Sequence, residues 1–246
     1  MGKGHLHMGQ LKEEQKQQID FFISRYPQLK EIKIDIISAY CVLEECYKNG
    51  RKLLIAGNGG SAADTEHIVG ELMKRFRIDR PVSNEFAERL RLVDSKRGDI
   101  LAKNLECGLM AIPLVAHEAL TTAYLNDVGG QGVFAQQLFG YGRAGDVFLG
   151  ISTSGNSENV IYAAIVARAL EMKIIALTGE KGGELEKIAD VSVKVPEAET
   201  YMVQELHLPI YHCWCSMLEE RFFGRIANSK GIVNSDETVN SGGIIK

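Results

Sequence analysis

An α/β fold, a three-layer αβα sandwich around a five-stranded parallel sheet, follows from three observations on the chain. Short apolar runs at 53–56, 111–116, 147–151, 173–177 and 191–195 have the length and β-branched content of buried strands. Stretches of helical length separate them, and strands that alternate with helices run parallel, covered on both faces. Turns rich in glycine and serine, GNGGS and STSGNS, follow two of the runs, and such sheets bind ligands beyond the carboxyl ends of their strands. At 246 residues and 45% hydrophobic content the chain can bury one sizeable core.

Residues 11–26 mix charge with Ile19, Phe22 and Ile23 and predict an amphipathic helix ending before Pro27. A second helix is expected over 29–48, with Ile32, Ile36, Ala39, Tyr40 and Leu43 inward and Asn49-Gly50 stopping it. These N-terminal helices, in residues 1–50, pack either on the core or on a partner subunit. The main domain is expected over 51–223. Its first strand leads through residues 57–61 into a helix that Ser61 can cap.

An insertion at 77–110 follows, read either as a flap over the site or as a solvated surface excursion, with short helices at 85–92 and 100–109. The second strand leads to a helix at 117–125 and another ending near Tyr141. After the third strand, Asn156 or Ser157 is positioned to cap a helix reaching Leu170. A short helix over 184–189 precedes the last strand. One long helix is then expected over 199–223, with Pro209 as a place for a kink and Gly224 as its end. The tail, 224–246, is rich in Asn, Ser and Gly and is expected to be disordered.

A net charge of −4 and a pI near 5.9 argue against direct nucleic-acid or anionic-membrane binding, which needs clustered Lys and Arg. No apolar run approaches the roughly 20 residues of a membrane helix, and the polar start has no signal-peptide core. A cytoplasmic protein is expected. The cysteines Cys41, Cys46, Cys107, Cys213 and Cys215 form no paired zinc pattern and read as reduced packing residues. His5 and His7 sit on a loose start that can hold stray metal weakly.

The STSGNS turn brings hydroxyls, backbone amides and a helix start together, which is what a phosphate group needs. Ser152, Thr153, Ser154 and Ser157 are the candidate phosphate ligands, although such turns also cap helices with no ligand present. Gly57, Gly59 and Ala62 meet a relaxed dinucleotide fingerprint, but no acid-ending strand follows about 20 residues on, and no Walker lysine follows either turn. His67 and Glu71 are spaced to share a helix face, which suits a metal, a proton-transfer pair or an ordinary ion pair. Gln204, His207 and His212 lie along the last helix, with His212 about two turns beyond Gln204. His117, beside the sheet end, reads as a core or capping residue.

The segments GNGGSAADTEHIVGEL, AYLNDVGGQGVFAQQ, GDVFLGISTSGNSENVI, IIALTGEKGG and VQELHLPIYH together resemble the phosphoheptose (sedoheptulose 7-phosphate) isomerases of the sugar isomerase (SIS) domain superfamily. The resemblance covers most of residues 53–220 and implies an SIS-like fold of the flavodoxin/Rossmann type. It implies one zinc ion per subunit on His67, Glu71, Gln204 and His212. It places phosphosugar contacts on Asn58, Gly59, Gly60, Glu71, Asn126, Asp127, Ser152, Thr153, Ser154, Ser157 and Gln204. By the same resemblance, Glu71 is the base and His212 the acid of an aldose–ketose isomerisation through an enediol, in a homotetramer. Similar superfamily members are noncatalytic: some bind the bacterial replication initiator and others sense phosphosugars. Retention of the four metal positions favours the enzyme, with another phosphosugar as an alternative substrate. Tyr201 stands where those isomerases often carry Asp or Thr.

Overall fold

Strand residues alternate between two apolar clusters, and that alternation builds the layers. In the computed structural model, which describes residues 11–228, strands β1 (Leu53–Ala56), β2 (Ala111–Pro113), β3 (Val147–Ser152), β4 (Lys173–Thr178) and β5 (Val191–Lys194) form one all-parallel sheet in the order β2-β1-β3-β4-β5. Leu53, Ile55, Leu149, Ile151, Ile175 and Leu177 face one cluster. Leu54, Ala56, Phe148, Ile174 and Ala176 face the other. A period of two in a strand buried on both sides gives this partition.

The first cluster is covered by α1 (Glu13–Arg25), α2 (Lys33–Lys48), α3 (Gly60–Met73) and the long α10 (Thr200–Asn228). Ile19, Phe22, Ile36 and Tyr40 of the two leading helices are buried in it with Trp214 and Met217 of α10, and the Trp214 indole donates to the Ile36 carbonyl at 3.0 Å. The second cluster lies under α7 (Val133–Tyr141) and α8 (Glu158–Ala169). Residues 27–32 form a separate 3-10 turn before α2, because Pro27 starts a new local segment where one continuous helix from 29 was expected. All five cysteines are free thiols, and burial pushes that of Cys213 up to about 12.

Several boundaries differ from the sequence reading. The edge strand β2 stops at Pro113, although the Leu114 amide still donates to the Ile55 carbonyl at 2.8 Å. The insertion forms a hairpin of α4 (Asn84–Val93) and α5 (Ser95–Asn104). Its second helix starts ahead of the expected residue 100 because Asp94 caps it, accepting from the Arg97 amide at 2.7 Å. Helix α3 begins at Gly60, before Ser61, because Gly59 takes φ +55° and turns the chain directly into the helix; Ser61 is buried in the first turn and does not cap. Helix α10 is unbroken through Pro209 and continues past Gly224 to Asn228; glycine weakens a helix without obliging it to stop. His5, His7 and the tail beyond Asn228 lie outside the described residues. Among those residues no helix is long and apolar enough to cross a membrane.

Candidate active site

The strand order sets the site's place. β1 pairs with β2 on one side and β3 on the other, in register from Leu53 opposite Val147 to Ala56 opposite Gly150. The chain's direction of winding reverses between β1 and β3, and the carboxyl ends of these strands bound the crevice where such sheets bind ligands. Both glycine-containing turns therefore emerge side by side, and the Asn58 and Asn159 amides join them by reciprocal hydrogen bonds of 2.9 Å.

The turn after β3 is held by its own hydroxyls. Ser152 and Ser157 Oγ lie 2.9 Å apart, Ser154 Oγ accepts from the Asn156 amide at 3.1 Å, and the Thr153 carbonyl accepts from the Gly179 amide at 2.9 Å. Gly155, at φ +68°, is so close to the Gly182 carbonyl that a Cβ has no room. Ser157 precedes the first residue of α8, but its hydroxyl faces Ser152 and does not cap the helix. The leading amides of α8 are thus left for an anion. Ser154 is exposed, Thr153 and Ser157 half-buried and Ser152 buried.

Helix α3 carries the second group. His67 Nε2 lies 3.3 Å from Glu71 Oε1 and 3.3 Å from His212 Nε2, so α3 and α10 present two imidazoles and a carboxylate to one point. Burial, then the neighbouring His67, holds His212 below the usual imidazole range, despite Glu71. Gln204 lies against the start of α3, its amide nitrogen 2.7 Å from the place a Gly60 Cβ would occupy. Asn126 and Asp127, at the end of α6 (Glu118–Asp127), are hydrogen-bonded to each other at 2.8 Å and belong to neither group of touching side chains. His117 accepts from the Leu120 amide at 3.4 Å and caps α6.

The donor set suits a zinc ion. Ligands of a tetrahedral zinc with bonds of about 2.0–2.1 Å lie about 3.3 Å from one another, and imidazole with carboxylate is a common set. Both spacings around His67 have that length. Among the described residues, no group of three or more His, Cys, Asp or Glu side chains is arranged to hold a metal ion as it stands; the two spacings around His67 are what fits one.

Behind the cluster lies a feature that the sequence reading missed. Arg80, in the segment read as a flap or solvated excursion, is fully buried with Glu219 of α10, at 2.7 Å. Arg80 also donates to the Leu72 and Glu71 carbonyls at 2.8 and 3.2 Å, satisfying the last turn of α3. Glu219 accepts the Phe76 and Arg77 amides at 2.8 and 2.7 Å. The helix bearing Glu71 is thereby fastened to the helix bearing His212. An isolated Arg in a charged segment gives no sequence signal for this, since its partner is 139 residues away.

The chain is similar along most of its length to proteins named phosphoheptose isomerase. The chain is 39% identical over 192 residues to the phosphoheptose isomerase of Sulfurimonas denitrificans, a match spanning 78% of this chain and 84% of that protein. The chain is a member of the phosphoheptose isomerase family. A family description, SIS domain, matches residues 101–179. The solved phosphoheptose isomerase from Neisseria gonorrhoeae superposes with a TM-score of 0.61 at 32% identity, over 83% of this chain and 98% of that one. The one from Francisella tularensis gives 0.63 at 30% identity, over 82% and 97%.

Proposed function

We propose that this phosphoheptose isomerase family member interconverts sedoheptulose 7-phosphate and D-glycero-D-manno-heptose 7-phosphate in the cytoplasm, as a homotetramer. The observation that carries the reading is the convergence of His67, Glu71 and His212, in a chain that also has a hydroxyl-lined turn after β3 and is similar to named phosphoheptose isomerases.

In this reading Ser152, Thr153, Ser154 and Ser157 hold the phosphate with the leading amides of α8. Asn58, Gly59, Gly60, Asn126, Asp127 and Gln204 contact the remainder of the substrate. Anchoring the phosphate fixes the reacting carbons beside Glu71. Glu71 takes the proton from C1 of the ketose while His212 supplies one to the C2 oxygen, giving the enediol. Return of the carbon proton to C2 and loss of the O1 proton complete the aldose. Neutral imidazole can serve as such an acid where the developing charge is on oxygen. His67, Glu71, Gln204 and His212 would hold zinc, which when bound supplies Lewis-acid polarisation of the substrate oxygens.

The test is direct. Purified protein, with and without zinc, is incubated with sedoheptulose 7-phosphate, and aldose formation is followed by NMR. Conversion that vanishes in Glu71→Gln supports the proposal; no conversion by folded, metal-loaded protein overturns the substrate assignment. Activity that persists in protein shown by elemental analysis to be metal-free overturns the zinc assignment alone.

A further inference from the structure

Asp64, Tyr211 and His67 form a row that the isomerisation scheme leaves unused. The Tyr211 hydroxyl donates to Asp64 Oδ1 at 3.0 Å and lies 3.1 Å from His67 Nδ1. A phenol has one proton to give. With that proton directed to Asp64, Nδ1 of His67 carries the hydrogen that joins it to the phenol oxygen. A neutral imidazole has one ring proton, so Nε2 keeps its lone pair, and Nε2 is the atom that faces Glu71 and His212.

The opposite arrangement would give Nε2 a proton for Glu71 Oε1 at 3.3 Å, but at that end the imidazole is 42% exposed and water can serve both groups, whereas the Tyr211 end is closed. Were Tyr211 to donate to His67, the phenol oxygen and a carboxylate oxygen would meet with no proton between them, away from solvent. Tyr211 is 1% exposed, and Asp64 Oδ2 is buried without a hydrogen bond, so the carboxylate depends on the Tyr211 donation to Oδ1. The His67 and Tyr211 rings also meet edge-on, 5.5 Å between centroids at 75°, which restrains rotation of the imidazole.

We propose that Asp64 and Tyr211 are positioning residues which lock His67 as the Nδ1–H tautomer and so hold Nε2 ready for a divalent transition metal. The inference rests on the metal reading above, but it concerns the metal-free protein as well. Partners of this kind fix ligand orientation and basicity at metal sites.

The experiment uses the full chain, stripped of metal and labelled with 15N-histidine, with His67 resonances assigned through His67→Gln. Long-range 1H–15N spectra are expected to show His67 as Nδ1–H in the wild type, moving toward Nε2–H in Tyr211→Phe. Zinc affinity, measured by competition with a chromophoric chelator, is expected to fall about 10–100-fold in Tyr211→Phe. Asp64→Asn offers a second route to the same shift, because its amide can donate to the phenol and turn the phenol proton onto His67. Tyr40→Phe is the control; its hydroxyl is buried on α2 without a well-formed hydrogen bond and with Glu44 as its charged neighbour, and neither readout should move. Wild-type His67 found as Nε2–H, or a tautomer unchanged in both variants, overturns the proposal. A tautomer shift with the zinc affinity unchanged overturns its metal half. A tautomer shift in a wild type that binds no zinc supports the lock and overturns the metal reading.

Discussion

At the end of β1 the chain turns through residues 57–60 and starts α3 at once; at the end of β3 it lingers through residues 153–157 before α8. The first turn contributes little side chain of its own, and what it delivers is a helix whose His67 and Glu71 lie about two and three turns further on. The second turn delivers itself, with hydroxyls bonded to one another and helix amides exposed behind them. Their support differs accordingly. α3 is fastened from outside, by Arg80 and Glu219, whereas the β3 turn is fastened by its own hydroxyls and by backbone bonds to its neighbours. Side-chain chemistry that must be placed to a few tenths of an ångström sits on a helix with buried backing, and anion binding can be left to a loop.

The sharpest way to break this comparison is Glu71→Gln. Turnover in the NMR assay should fall roughly 10²–10⁴-fold, with little change in melting temperature, because the carboxylate's ion-pair partners among the described residues are the exposed His67 and Lys74. Activity within a factor of a few of wild type would remove the chemical role assigned to the α3 side of the crevice. Arg80→Met tests the backing. It leaves the Glu219 carboxylate buried beside two amides with its cation gone, at a cost of about 3–5 kcal/mol in urea unfolding. The double variant Arg80→Met/Glu219→Met should recover part of that loss, and a loss under about 1 kcal/mol in the single variant would show that the clamp does not hold α3 to α10.

His207 gives a smaller effect with a pH signature. Its ring is fully buried on α10, neither nitrogen makes a well-formed hydrogen bond, and burial lowers its pKa to about 4, with the Thr178 backbone acting weakly the other way. The folded state therefore keeps this imidazole neutral while the unfolded chain takes up a proton below about pH 6.5. Stability should fall by roughly 3 kcal/mol on acidifying from about 6.5 to about 4, and this group adds no further loss below that. Denaturant titrations of wild type and His207→Leu check it; equal slopes against pH would refute it. The smallest effect belongs to the β3 turn. Ser154→Ala with Ser157→Ala should raise KM for the phosphosugar about 10–100-fold, the loss of one or two hydrogen bonds to a charged group, with kcat nearly unchanged. A fall in kcat instead would make that turn part of the chemistry.

The sheet was legible because each strand is a short apolar run ended by a turn, and burial on both faces leaves little else for such a run to do. The hydroxyl turn was legible because its residues are contiguous. His67 and Glu71 could be paired from helical spacing alone, but their meeting with His212 came from resemblance, as did Gln204, which the structure records against Gly60. Arg80 was hidden in a charged stretch, and Tyr211 beside His212 carries no sequence sign of a partner 147 residues away. Asp64, three residues before His67, had the spacing of a neighbour without any sign of its partner.

Local pattern, then, determined strands, helices and the turn that can bind an anion, because each depends on residues within a few positions of one another. Only the tertiary structure decided that α3 and α10 lie side by side. Packing on the same apolar face of the sheet brings together His67 with Tyr211 and His212, and Arg80 with Glu219. Such contacts across more than a hundred residues carry no periodicity, and the desolvation that makes them consequential exists only once the core has closed.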